Sequence, residues 1–187
     1  MRKPKKYTVQ KYFLKDDGRF PNNASLPVLL YKHALELPGL FPGNFIAKLF
    51  EKNGWKNSWK DGIFDYHHYH SVTHEVLGVY RGKTTVLLGG TKGVELVLEK
   101  GDVLVIPAGV AHKNITPDSD FKCVGAYPGG KDYDINYGKI GERPKADQNI
   151  KKVPLPETDP VEKEGALNKY WKDPFERKTA KKRSIPK

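Results

Sequence analysis

The stretch Gly62-Ile63-Phe64-Asp65-Tyr66-His67-His68-Tyr69-His70-Ser71-Val72-Thr73-His74-Glu75 holds four of the chain's six histidines. On an extended chain alternate side chains share a face, so His68 and His70 point one way and Tyr69 the other. Ser71–His74 reads as a turn. If that turn reverses the chain, Glu75 faces the same pocket from the next strand. His112 follows 37 residues beyond Glu75, just after Pro107-Ala108-Gly109, and belongs to another hairpin. Three imidazoles and a carboxylate form a candidate cage for iron, manganese, nickel, cobalt or zinc. Glu75 is also the candidate catalytic base. Parity turns His67 and His74 away from the cage, and His74 is expected at its rim or in a structural position. Tyr66 is a candidate for the pocket wall, and His33 has no assignment. Asp65, Thr73 and Asn114 are candidates to receive the second ring nitrogen of a ligating imidazole.

Around this stretch the texture is that of short strands. Ile63–His70, Glu75–Tyr80, Lys83–Leu88, Val94–Glu99, Asp102–Ile106, Ala111–Ile115 and Phe121–Tyr127 are each β-rich. Turns carrying Arg81-Gly82, Gly89-Gly90, Lys100-Gly101, Ala108-Gly109 and Pro117-Asp118 separate them. Strands at this spacing leave no room for crossover helices and point to a sandwich or barrel. Upstream, Tyr7–Leu14 reads as a strand and Asn22–Pro27 as a turn, while Val28–Leu35 fits helix or strand equally. Asn44 is placed to cap a helix over Phe45–Asn53, with Phe45, Ile46, Leu49 and Phe50 on one face and Gly54 ending it. Beyond Tyr127 the prolines and glycines predict an irregular arm with one helical turn near Ala166–Tyr170. Leu167, Tyr170 and Trp171 would dock that arm on the body or on a second subunit. Cys123, the single cysteine, shares a strand face with Phe121 and Gly125 and reads as a small core residue.

Two spacings carry a resemblance. Gly62, five residues, His68-Tyr69-His70, four residues, Glu75, six residues, Gly82 resembles the first cupin motif. Gly101, five residues, Pro107-Ala108-Gly109, two residues, His112 resembles the second. That second motif usually ends in asparagine where this chain has Thr116, with Asn114 nearby. The resemblance implies an all-β fold, the double-stranded β-helix barrel, with a short N-terminal helix and an irregular C-terminal arm. It implies one divalent metal ion held by His68, His70, Glu75 and His112. The segments Asn22–Leu35, Asn53-Gly54-Trp55 and Leu155–Pro160 extend the similarity to the cupin group named after the uncharacterised YjlB protein.

The chain has 187 residues, which fits one domain with a core. Its charge of +11, from 33 basic and 22 acidic residues, is uneven. Ten basic residues and no acid lie in 1–6 and 177–187, leaving 23 against 22 between them. The expected organisation is a basic disordered tail over 1–6, a cupin domain with its arm over 7–171, and a second such tail over 172–187. A charge-balanced body without a zinc finger or an RNA-binding aromatic motif argues against nucleic acid as partner. No apolar run approaches a membrane span, no signal peptide is recognisable, and one cysteine suits a reducing compartment, so a cytoplasmic protein is expected. The expected partners are a small-molecule substrate, with Arg81, Lys83 and Lys113 as candidates to attract an anion, and a second copy in a homodimer. Three functions compete: an oxygen-using enzyme on a small polar or carboxylate substrate, a redox-neutral isomerase, epimerase or lyase on a sugar or oxo acid, and a non-catalytic binding barrel.

Overall fold

A computed structural model describes residues 7–118 and 120–173; most of both basic tails lies outside these residues. Nine strands are found among the described residues: β1 Thr8–Leu14, β2 Asn23–Lys32, β3 Trp55–Asp61, β4 Glu75–Arg81, β5 Lys83–Leu88, β6 Val94–Glu99, β7 Val103–Ile106, β8 His112–Asn114 and β9 Lys122–Pro128. Helix α1 spans Pro42–Lys52, α2 spans Lys145–Lys152, and a π-type turn covers Asn168–Lys172. A six-stranded sheet runs in the order β1-β2-β7-β4-β9-β3, and a three-stranded sheet in the order β6-β5-β8. Their pairings are antiparallel. The molecule is thus a β-rich, two-sheet, jelly-roll-like fold with a few short helices.

The central strands of the larger sheet, β2, β7, β4 and β9, are buried on both faces. Val28 and Leu30 of β2 and Leu77 and Val79 of β4 meet Val86, Leu88, Leu96 and Leu98 of the smaller sheet. The alternate residues Leu29, Tyr31, Val76 and Val105 lie under Ile46 and Phe50 of α1 and Leu167 and Trp171 of the arm. Burial on both faces erases the apolar–polar alternation that would mark a strand. This is why Val28–Leu35 reads equally well as helix. Close approach of α1 requires Gly78, where a Cβ would stand 2.7 Å from Ile46 and 2.8 Å from Phe50.

Several expectations need correction. Asn22–Pro27 is not a turn: β2 begins at Asn23, and its pairing with β1 slips between Leu14↔Asn23 and Tyr12↔Val28. Pro27 is tolerated in this irregular stretch, and its carbonyl accepts from Trp171 Nε1 at 2.9 Å. Helix α1 starts earlier than expected, with Phe41 as the flanking residue at φ 53° and proline in the first turn. Asn44 sits inside the helix and accepts from Lys60 Nζ instead of capping. Gly54, at φ 82°, does follow the helix end. Ile63–His70 forms only isolated backbone bridges, at His68↔His112 and Tyr69↔Asn136. Strand β3 and helix α2 are additions. The first is a polar edge strand whose bulge breaks its parity. The second buries only Ala146. Among the described residues no helix is long and apolar enough to cross a membrane.

Candidate metal centre

His68 and His112 face each other across a two-bond backbone bridge, His68 N to His112 O at 3.2 Å and His112 N to His68 O at 2.9 Å. Their rings come to 4.1 Å between centroids. His70 lies two residues on and is held from behind, its carbonyl accepting from Gly109 N at 2.8 Å. Tyr69 points the other way, fully buried, with its hydroxyl 3.1 Å from Glu142. One ligand atom from each of His68, His70 and His112 lies within 4.8 Å of the others. Glu75 opens β4, and its Oε2 stands 3.4 Å from His70 Nε2 and 3.3 Å from His112 Nε2. The four residues singled out by spacing therefore come together, although the first two sit in a bridged loop.

The expected side-chain partners of the imidazoles are replaced by backbone carbonyls. His68 Nδ1 faces Tyr66 O at 3.2 Å, His112 Nδ1 faces Val110 O at 3.1 Å, and His70 Nδ1 faces Asp134 O. A carbonyl can only accept, so each Nδ1 carries a proton, and a ring in its neutral form keeps its lone pair on Nε2. Asp65, Thr73 and Asn114 take no part. Asn114 instead accepts from Thr84 Oγ1 at 2.5 Å and from Thr116 N at 3.1 Å. Thr116 Oγ1 in turn accepts from Thr85 N at 2.7 Å, which ties the end of β8 to β5.

The electrostatics favour a cation at the meeting point. Burial pushes His68 down to about 3, with His112 adding to the effect and Glu75 opposing it. Burial also works against the charge on His70, but Glu75 outweighs it and raises that pKa. Glu75 is buried, which alone would favour its neutral form; the neighbouring His70 and His112 nevertheless hold it well below the usual carboxylate range. Yet Glu75 Oε2 has no hydrogen-bond partner. A buried, unpartnered carboxylate oxygen beside convergent imidazole lone pairs fits a divalent ion with nitrogen and oxygen ligands. The other carboxylate oxygen, Oε1, accepts from Tyr127 OH at 3.1 Å, and that hydroxyl accepts from Trp59 Nε1 at 2.8 Å. Tyr127 extends the strand face of Phe121, Cys123 and Gly125, so parity could have found it.

A cavity of about 260 Å³ opens onto this group, lined also by Trp59, Lys60, Phe64, Leu77, Tyr127 and Tyr133. Neither Tyr66 nor any of Arg81, Lys83 and Lys113 lines it. Arg81 pairs with Asp120 at 2.9 Å, while Tyr66 and Lys113 line a separate groove with His67 and Arg19. His74 is buried and accepts from Ala108 N at 2.9 Å, with its ring 4.8 Å from Trp171. Burial pushes it down to about 4, against the Pro154 carbonyl. It is a structural residue. Cys123 is buried, and burial pushes its thiol far up, in keeping with a core position. A second group, His33, Glu99 and Asp102, also brings ligand atoms within 4.8 Å. Lys32 Nζ contacts both of its acids, Glu99 at 3.0 Å and Asp102 more closely.

No protein-family model matches the chain. Its sequence is 44% identical over 153 residues to the uncharacterised protein YjlB of Bacillus subtilis strain 168, covering 82% of this chain and 90% of that one. Among solved structures it resembles an acireductone dioxygenase from Bacillus anthracis with a cadmium ion in its active centre, at TM-score 0.38 and 18% identity, over 50% of this chain and 63% of that one. It resembles the RmlC epimerase of Legionella pneumophila at TM-score 0.38 and 11% identity, over 68% of this chain and 74% of that one. Neither structural likeness bears on activity. With nine-tenths of YjlB matched at this identity, the chain belongs to the YjlB family.

Proposed function

We propose that the two sheets are the double-stranded β-helix of a cupin, and that His68, His70, Glu75 and His112 hold one divalent ion for an oxygen-using reaction on a small polar or carboxylate substrate. The observation that carries this reading is Glu75 Oε2, buried without a hydrogen-bond partner 3.3–3.4 Å from two imidazole nitrogens. A bound ion there would supply Lewis acidity and, if it is iron, manganese or nickel, electron transfer with dioxygen.

The chain's own residues supply the rest. The carbonyls of Tyr66, Asp134 and Val110 fix the three rings in the tautomer that leaves Nε2 basic. Tyr127 anchors Oε1 of Glu75, so Oε2 would be the ligand oxygen, and it would serve as a base toward a substrate hydroxyl only when released from the ion. Trp59, Phe64 and Tyr133 form an aromatic wall beside this group.

The test is elemental analysis of the chain purified without added metal, followed by a substrate screen with and without oxygen. The expected result is about one transition-metal ion per chain and oxygen uptake that depends on substrate. Metal-free protein that refuses all five ions would sink the site. Turnover of the same substrate under nitrogen would move the protein to the redox-neutral class. Tight binding without turnover would leave a binding barrel.

A further inference from the structure

The cavity wall is more specialised than a small polar substrate requires. Trp59 of β3 lies on Gly125 of β9, where a Cβ would stand 2.1 Å from the indole, so only glycine lets the ring lie this close to the sheet. The Trp59 Nε1 bond to Tyr127 OH fixes its plane. Tyr133 stacks on Tyr127, with centroids 4.9 Å apart and planes at 25°, and meets His70 edge-on at 5.1 Å. Tyr133 is 44% exposed, yet its neighbour Asp134 pins this part of the arm. The Asp134 carboxylate accepts from Ser71 N at 2.7 Å, Val72 N at 3.2 Å and Asn136 Nδ2 at 2.7 Å. Phe64, 48% exposed, meets His68 edge-on at 5.1 Å.

The cavity therefore has rigid aromatic rings left partly open at its mouth, beside the ligand cluster. Open apolar surface of this kind marks a binding site. Polar groups for a polyol are scarce. The Tyr127 hydroxyl is committed to Trp59 and Glu75, and Asp61 is taken by Gly62 N and Lys122. Lys60 borders the cavity, but its Nζ is bound to Asn44 Oδ1 of α1, so an acid group is left to the ligand cluster. At about 260 Å³ the cavity falls below the roughly 300–1,000 Å³ of sites for drug-sized ligands.

We infer that the cavity selects a small, planar, ring-bearing carboxylate, an aromatic or comparably conjugated acid, with Trp59 and Tyr133 as the residues that read flatness. This deepens the proposed reading of the same site and rests on it for the position of the ligand. A flat ring gains offset-stacked or edge-to-face contact with these side chains, and a puckered ring of equal carbon count does not.

The experiment is calorimetric titration of the full chain with benzoate and, separately, with cyclohexanecarboxylate. The two carry the same charge and differ in the ring. The expected result is benzoate tighter by about tenfold, with that ratio collapsing toward unity in Tyr133→Leu while metal content stays at the wild-type value. Gly125→Ala, which displaces Trp59, should shrink the ratio too. If Gly125→Ala does not fold, Trp59→Leu replaces it. Equal affinities, a tighter saturated acid, no binding of either acid, or a ratio that survives in Tyr133→Leu would each overturn the inference. Metal content, measured on the same samples, reports separately on the proposed centre. A chain that refuses all five ions yet keeps the benzoate preference would sink the metal reading and leave this one standing.

Discussion

Two groups of possible ligands lie close together among the described residues, and only one of them is built like a metal centre. In both groups the ligand atoms fall within 4.8 Å of one another. At His68, His70 and His112 the outer nitrogens are engaged by carbonyls, the inner nitrogens converge, and Glu75 Oε2 is left without a partner. At His33, Glu99 and Asp102 a lysine is already in place, and His33 is 56% exposed. Proximity is common to both. What separates them is whether the protein supplies its own cation.

The largest contrast should appear in metal content. His112→Ala and His68→Ala should lose most of the ion, because each removes an Nε2 from the centre and leaves Glu75 with less to share its charge. His33→Ala should keep the wild-type value. Elemental analysis of the three purified variants checks this, and metal retained in His112→Ala would erase the distinction.

Stability should show the contrast in the opposite direction. Asp102 is fully buried, and its carboxylate depends on Lys32 together with the backbone N–H groups of His33 and Glu99. Lys32→Met removes the cation and leaves a buried charge. The loss should be about 2–4 kcal/mol in denaturant unfolding, a little under the 3–5 kcal/mol seen when fully buried pairs are broken. Metal content should not change.

A smaller effect tests the outer partners of the metal group. Tyr127→Phe keeps the ring stack but removes the hydroxyl between Trp59 Nε1 and Glu75 Oε1. Metal affinity should fall about tenfold, the lower end of what such partners contribute. A chelator competition titration measures it. An unchanged affinity would make that hydroxyl a packing detail.

The same contrast explains what was legible in the residues. The strands from β4 onward follow the spacing of glycine turns, because hairpin geometry demands turn residues at those points. Alternation was enough to set His68 and His70 on one side and Tyr69 on the other, even though only two backbone bridges make this stretch extended. The imidazole partners were not legible. They are carbonyls, which every residue carries, and the Asp134 carbonyl comes from an arm with no periodicity. Strand β2 was obscured by burial on both faces and by the slip beside Pro27. The proline at the start of α1 was a stronger helix signal than Asn44, since its fixed φ and missing N–H suit a first turn.

The smallest prediction concerns pH and belongs to the lysine group. Glu99 is held below its ordinary value of 4.5, first by the hydrogen bond from Lys32 and then by its charge, with His33 and Lys83 adding less. A lowered carboxyl contributes stability that is present above 4.5 and lost as pH falls through the folded value. Burial opposes the charge on Lys32, but its hydrogen bonds to Asp102 and Glu99 raise its pKa above the ordinary 10.5. That contribution is present below 10.5 and lost as pH rises through the folded value. The difference in Tm between wild type and Lys32→Met should therefore be widest between these limits and narrow at both ends. Solvent screens Glu99, whose side chain is 37% exposed, so the acid limb should be the shallower one. Protonation of the metal ligands in acid affects both proteins alike and cancels in the difference. A difference that stays constant from acid to alkaline pH would mean that Lys32 acts through the packing of its stem and not through its charge, and the feature taken to separate the two groups would be gone.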